Sequence, residues 1–543
     1  MGIIFQTDHR VGITYAYENK SYWDKEKKQP RSHRKLIGRL DEVTGAIVPT
    51  RGRKRVSPDT YRSCNLRDRH DRQEGQVEPA AEEFKRRFSG ATYLFDELVH
   101  ELGIREDLKK CFPHQYTQIL SIAYYLILED RNPLSRFSKW AATHKHPYGE
   151  DIPSQRSSDL FAQITEDGKN RYFTLQGKRN KEQEYWFYDS TSISSYSNYL
   201  AQVRYGRNKD HEHLEQINLA VLYGEQSRLP FYYRKLPGNI SDVMTIKNLI
   251  ADISQFEFKK VKLVMDRGFY SESNINALLS AHFKFLIGVK KSLEFVQESL
   301  AKAREEMRNF GHYHPDYDIF TYSEKISWNY EQVRPYKGDT LKEERRMYLH
   351  LYYSPEKALE DERKLHTKLM TWKTELESGE TNQAHKKSYA KYFEVKTTPV
   401  RGIKVTAKQS EIEKAKKNYG YFAMISNEVK EPVQALALYR RKDLIEKTFE
   451  NIKDRLGFRR MHVSSEKSLD GKMFVEFIAL SVMSELMRRM QDAGLLKKYT
   501  MTEMLDHIDL IECFERKGKD RWYGEITKKQ ADIYGDLGIN PPT

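Results

Sequence analysis

The sequence predicts an α/β fold: a mixed sheet flanked by helices, interrupted by a mostly β insertion domain and preceded by an N-terminal strand-plus-helical accessory domain. Three observations predict it. Between residues 181 and 290, short aromatic and β-branched runs alternate with helical patterns. Two of those runs hold or end in an aspartate. After residues 291–418, a stretch without Pro or Gly, ALALYRRKDLIEKTFENIKDRL (Ala435 to Leu456), reads as one long helix stopped by Gly457.

The elements follow in chain order. Residues 1–50 alternate in a strand-like way around Gly12 to Tyr17, and the basic segment KEKKQPRSHRK (Lys25 to Lys35) reads as a loop between two short strands. Arg51 to Gln76 is polar and charged, as a linker or arm would be. Helical spacing runs from Tyr93 to about Ala142, with Leu94, Leu98 and Leu102 before Gly103. Glu184 to Ile193 is strand-like, with Asp189 within or at its end. Ile217 to Leu222 and Leu229 to Leu236 continue a meander, and Asp242 is placed to cap a helix running to about Phe256. Val261 to Met265 is a strand ending at Asp266, followed by a helix (Glu272 to Ala281) and a strand (Phe283 to Val289).

The insertion reads as strand-like pieces (Asp318 to Trp328, Arg346 to Tyr353, Tyr392 to Thr397, Arg401 to Thr406) around a charged helix, Pro355 to Ser378. Tyr421 to Ser426 is its returning strand, and Phe474 to Met490 is an amphipathic helix. The predicted divisions are 1–88 (basic strands and linker), 89–180 (helical accessory or DNA-binding region), 181–290 (first part of the core), 291–426 (insertion), 427–495 (second part of the core) and 496–543 (tail).

Composition narrows the partner. Lys and Arg number 92 against 78 Asp and Glu, a formal charge of +14. The excess is concentrated early: residues 1–80 hold 17 basic and 11 acidic side chains. Such a surface favours a polyanion. Cys64, Cys111 and Cys513 are scattered, with no CxxC or Cys/His cluster, which argues against a zinc site or a disulfide framework and fits a reducing cytoplasm. The longest apolar helix, broken by Glu476 and Glu485, is too short to span a bilayer, and a soluble intracellular protein is expected.

Turned at 100° per residue from Tyr439, the helix places Lys442, Glu446 and Lys453 at about −60°, −20° and −40°, on one face with the tyrosine. Leu438, Ile445, Phe449, Ile452 and Leu456 form a second stripe that is wide enough to be buried. A carboxylate thus sits between two lysines and a tyrosine at the edge of the packed side. A helix of this kind can equally be a solvated charge stripe, and an aspartate ending a strand can equally be a cap. Glu450, about 40° from Glu446, is the other carboxylate on that face.

The spacing Tyr439-x2-Lys442-x3-Glu446-x6-Lys453 resembles the YREK signature of insertion-sequence DDE transposases, with Lys442 where the family usually has Arg. Arg440 and Arg441 lie beside it. The segments Asp189-Ser190-Thr191-Ser192 and Asp266-Arg267-Gly268-Phe269 also resemble stretches of that family. The element order, three strands, helix, strand, helix, strand, is the topology of the RNase H-like fold, with its third carboxylate on a later helix.

The resemblance implies a cut-and-paste transposase. Asp189, Asp266 and Glu446 would be catalytic and hold two divalent ions, Mg²⁺ or Mn²⁺, which suit an all-oxygen donor set. Lys442 and Lys453 would hold phosphates, Tyr439 would contact the backbone beside the cut, and Arg440 and Arg441 would add DNA contacts. Tyr421 or Phe422 would hold a flipped base at a hairpin end, where the family commonly has a tryptophan; Trp328 and Trp372 are the next candidates. The partners implied are the terminal inverted repeats and target DNA, bound by a dimer in the synaptic complex, in a prokaryotic cytoplasm beside the nucleoid. Two rivals are a domesticated or inactive DNA-binding relative and an RNase H-like nuclease without strand transfer.

Overall fold

The computed structural model describes residues 2–8, 13–24, 29–40, 47–48, 84–129, 132–179, 184–195, 200–206, 213–256, 258, 260–334, 338–398, 402–442, 460–461, 465–516 and 521–543. They fall into two compact units, Met1–Ala81 and Glu82–Thr543.

The first unit is an antiparallel sheet of Gly2–Asp8, Ile13–Asp24, Gln29–Leu40 and Ile47–Val48, in that order. Its centre is a long hairpin whose register pairs Tyr22 with Arg31 and Glu18 with Lys35. Residues 29–35 of the basic segment are therefore strand, where a loop was expected. The facing strand offers a backbone partner at every position from Gln29 to Lys35 and overrides the charge pattern. The expected linker, 51–76, lies outside the described residues.

The second unit is built on a mixed sheet, whose described strands we number in chain order: β1 (Trp186–Ser195), β2 (Gln216–Gly224), β3 (Pro230–Pro237), β4 (Lys262–Met265), β5 (Lys284–Val289), β6 (Tyr313–His314), β7 (Ile319–Arg334), β8 (Asp339–Tyr353), β9 (Tyr421–Ser426) and β10 (Arg460–Met461). Across the sheet the order is β6-β7-β8-β9-β5-β4-β1-β2-β3. β1, β4 and β5 are parallel, while β2, β3 and β9 run antiparallel to their neighbours. Two helices cross between them, α1 (Ile246–Gln255) and α2 (Glu272–Ser280). A meander followed by two crossover units is the order the sequence predicts.

The insertion, expected to be mostly β, combines strands with helices. Its hairpin β7–β8 joins the central sheet through β9, whose Leu349-facing residue Ile425 pairs on its other edge with Ile287. The rest is largely helical, α3 (Glu294–Met307) and Pro355–Ser378 above all, with one small hairpin, Phe393–Thr398 and Gly402–Ala407. The exposed edge of β5 explains the continuity, because β9 supplies the hydrogen bonds that edge would otherwise lack.

Strand alternation divides the sheet into two faces. Tyr188, Met265, Ile287 and Ile425 pack on one face with the long helix α5 (Glu466–Asp492) and the helices between Gly90 and Arg179. Phe173 there touches Tyr232, Tyr233, Phe256, Phe474 and Phe477. The expected accessory helices thus share one core with the sheet. On the other face, Phe187, Val264, Leu286 and Met424 pack against Ala435, Leu436 and Leu438 of α4, described as helix over residues 432–442.

The tail packs within its own unit. Strand Glu512–Arg516 pairs with Phe84–Phe88, and the Tyr534 hydroxyl donates to the Gly90 carbonyl at 2.8 Å. No helix among the described residues is long and apolar enough to cross a membrane.

Candidate active site

Two of the three expected carboxylates come from neighbouring parallel strands. β1 and β4 are parallel, with Phe187 opposite Val264 and Tyr188 opposite Met265. One residue further come Asp189, still within β1, and Asp266, just past the end of β4. Alternation puts both on the face covered by α4, and both are partly exposed. Asp189 is within β1, and Asp266 directly follows β4 in an extended conformation, as the cap of the turn Arg267–Phe269.

Tyr439 closes the site from α4. Its hydroxyl donates to Asp266 Oδ1 at 2.8 Å, and the Arg267 backbone N–H donates to the same oxygen at 2.7 Å. Neither donor uses Oδ2. Burial alone would raise the Asp266 pKa, but the Tyr439 hydroxyl, the Arg267 amide and the charges of Lys442 and Arg267 together hold the carboxyl below its ordinary value. Gly288, in β5 beside Asp266, makes this approach possible: a Cβ there would stand 3.2 Å from both the Tyr439 hydroxyl and the Arg267 nitrogen.

Tyr439→Phe is therefore expected to raise the Asp266 pKa. A depressed carboxylate pKa contributes stability above the unfolded-state pKa, about 3.9, and that contribution is lost as pH falls through the folded-state value. The variant should be less stable than the parent at pH 7, with a deficit that shrinks below about pH 4. Gly288→Ala should show the same pattern by pushing the hydroxyl away. Denaturant midpoints against pH check this, and a deficit independent of pH contradicts it.

Lys442 departs from the expected edge position. It is 3% exposed, because Ala435, Leu438, Tyr439 and Lys442 form one i, i+3, i+4, i+7 stripe on the sheet. The charge is tolerated there beside the ionised Asp266. Arg440 and Arg441 are exposed on the outer side of α4. Arg440 lies over the Tyr317 ring at 4.9 Å, and Arg441 is paired with the buried Glu225 at the end of β2. Glu446, Lys453 and the alternative Glu450 lie outside the described residues, as does the expected apolar stripe beyond residue 442.

The aromatic candidates separate. Tyr421 is 2% exposed, in the core, with Arg304 and Arg308 over its ring. Phe422 points to the opposite face, half-buried and stacked on Tyr352 at 4.8 Å. Trp328 donates its ring N–H to Asn276 at 2.9 Å, and Trp372 stacks on Tyr392 within the insertion. Sequence reasoning missed the role of Asp242. Instead of capping α1, it accepts a 2.5 Å hydrogen bond from the Ser190 hydroxyl and tethers β1 next to Asp189.

The donor chemistry fits hard divalent ions: two neighbouring carboxylates, one held ionised with an oxygen that neither hydrogen-bond donor uses. Among the described residues alone, no group of three acidic, His or Cys side chains forms a metal site.

A family model described as a transposase DDE domain matches residues 186–482, more than half of the chain, and that span includes Asp189, Asp266 and the whole predicted helix motif. No curated protein matches. Among solved structures, a cryo-EM structure of a piggyBac transposase synaptic complex with hairpin DNA is similar over 78% of this chain and 77% of that one, at 9% identity and a TM-score of 0.36. That likeness is too distant to bear on the arrangement of the site.

Proposed function

The chain belongs to the transposase DDE domain family and is a DNA transposase, and on that premise we propose that Asp189, Asp266 and Glu446 cut element ends and join them to a target. One observation carries the reading: Asp189 and Asp266 follow paired residues of two neighbouring parallel strands, and Asp266 accepts a hydrogen bond from Tyr439 of α4. DDE transposases as a class use divalent metal ions. Here Mg²⁺ or Mn²⁺, held as a pair by the three carboxylates, would lower the barrier to in-line phosphoryl transfer by activating the attacking oxygen and stabilising the leaving one.

The chain's own residues do the rest. Tyr439 and the Arg267 amide fix the Asp266 carboxylate and keep it ionised. Lys442 supplies positive charge from within the site, where a phosphate oxygen would gather negative charge, without the planar two-point contact that Arg makes. Arg440 and Lys453 are assigned to the flanking backbone. Arg441, already paired with Glu225, is a positioning residue that anchors α4 to β2. The lysine at Lys442 keeps this chain close to, not identical with, the YREK signature.

Incubating the protein with its own element ends and Mg²⁺ tests the reading. Cutting with joining is expected. Cutting alone makes the protein a nuclease, and binding without cutting makes it an inactive relative. A dimer formed on paired ends belongs to the same reading, and sizing the protein with and without end DNA checks it.

Binding to DNA should be strongly salt-dependent. With roughly six phosphate contacts, affinity should fall by about 10³ between 50 and 200 mM salt. Part of that slope is assigned to the basic strand Gln29–Leu40. Because Phe84–Phe88 is paired with Glu512–Arg516 in the second unit, the deletion that tests this ends at residue 81. It should flatten the salt slope and weaken end binding while cleavage persists at high protein concentration. An unchanged slope assigns the contacts elsewhere.

We further propose a hairpin intermediate at the excised ends. A tight hairpin requires a base to leave the stack, which costs a few kcal/mol, and stacking on an aromatic ring returns about 1–3 kcal/mol. Phe422, on the α4 face, is the candidate, and Tyr421 is assigned to the core. Phe422→Ala should reduce hairpin product, whereas Tyr421→Ala should chiefly lower stability. Denaturing gels that show only open ends contradict the mechanism, and equal, mild effects move the role to another aromatic.

A further inference from the structure

A cluster of basic side chains outside the expected motif lies next to the carboxylates. Arg267 directly follows Asp266, and Lys290 and Lys291 directly follow β5, the strand beside β4. The Lys291 ammonium donates to the Asn418 carbonyl at 2.7 Å and lies 5.7 Å from the centre of the Tyr419 ring. Arg304 of α3 donates to the Asn418 side chain at 2.8 Å, which brings it to the same place. Lys357 projects from the first turn of Pro355–Ser378, a helix whose N-terminus favours negative charge.

These cations outnumber their counter-charges. The nearest carboxylate to Lys291 is Asp361 at 4.0 Å, and that group also accepts the Gly420 amide. Arg267, Lys290 and Lys357 are exposed, and none makes an ion pair among the described residues. Burial first, then the charges of Lys357 and Arg267, outweigh Asp361 and hold the Lys291 pKa below its ordinary value. Crowded like charges destabilise a fold unless an anion compensates them. The Lys291 ammonium and the Arg304 guanidinium are meanwhile both held by Asn418, so these two members of the cluster are pre-organised.

We propose that Arg267, Lys290, Lys291, Arg304 and Lys357 form a phosphate track that carries the DNA backbone away from the scissile position, from the Asp266 end of the sheet onto the insertion. This rests on the transposase reading for the identity of the anion, and it gives the insertion a function: it supplies Lys291, Arg304, Lys357 and the Asn418 support, completing a site begun by the core strands.

The test is a binding cycle without divalent ions, using a labelled duplex that spans the boundary of the gene's own element. The triple variant Lys290→Gln/Lys291→Gln/Lys357→Gln should reduce the magnitude of the log-affinity against log-salt slope by about two to three and weaken binding at least roughly tenfold near 150 mM salt. Lys290→Arg/Lys291→Arg/Lys357→Arg should retain both values. Neutral methylphosphonates placed next to the cut should weaken the parent protein, yet add little to the triple Gln variant. An unchanged slope, or effects of variant and methylphosphonate that simply add, overturns the proposal. If the triple Gln variant does not fold, the methylphosphonate scan on the parent decides: a loss confined to phosphates far from the cut also overturns it. Cleavage by the parent with Mg²⁺ is scored separately. Failure there removes the transposase reading while leaving the binding cycle intact.

Discussion

Asp189→Asn, Asp266→Asn and Glu446→Gln each lower cleavage at the element ends by about 10³-fold or more, with folding and DNA affinity close to the parent's. Each change removes one negative charge and almost no volume, so packing is preserved while the ability to hold a divalent ion is lost. Asp266→Asn is the sharpest of the three. An amide there still accepts from Tyr439 and the Arg267 N–H, so the β4 end keeps its shape. Any loss of cleavage is then a loss of charge. Retention of more than a few per cent of activity in any one variant removes that residue from the catalytic set. If Glu446→Gln is active and Glu450→Gln is not, the carboxylate belongs one turn further along the helix.

Gly471→Ala destabilises the second unit, although alanine is about 1 kcal/mol better than glycine in a helix interior. Gly471 lies in α5 where it crosses the helix Ser154–Gln163, and an added Cβ would stand 2.0 Å from the Phe161 carbonyl oxygen. That atom is helical backbone and cannot swing aside as a flexible side chain would. The two helices must separate, opening the aromatic cluster of Phe112, Tyr172, Phe173 and Phe474. The cost should exceed the about 1–3 kcal/mol typical of overpacking. Thermal unfolding checks the sign: a lower Tm is expected, and a higher one would mean that the helices do not approach this closely. Because the accessory helices and the sheet share one core, cleavage should be lost over the same temperature range as the helical signal.

The catalytic sheet was legible because its signals are local. Asp266 ends an apolar run before Arg-Gly, and strand alternation around Asp189 is set by its own neighbours. Their placement on neighbouring strands was legible only through topology, since parallel pairing of Tyr188 with Met265 joins residues far apart in sequence. The burial of Lys442 was not legible. Its helical angle placed it at the edge of an apolar stripe defined mostly by residues after 442, whereas the described contact is made by Ala435, Leu438 and Tyr439 before it. How the insertion connects was not legible either, because nothing within β7 or β8 says that β9 will bind them to β5. The basic segment at residues 29–35 became strand for a similar reason: the partner strand decides, and charge does not.

The central claim is that Asp189, Asp266 and Glu446 hold divalent ions together. Anomalous scattering from Mn²⁺ in crystals of the protein with its end DNA tests it most directly. The account predicts manganese at about 2.1 Å from carboxylate oxygens of Asp189 and Asp266, with Glu446 completing the site. Manganese bound elsewhere, or only one of the two aspartates within bonding distance, would contradict it.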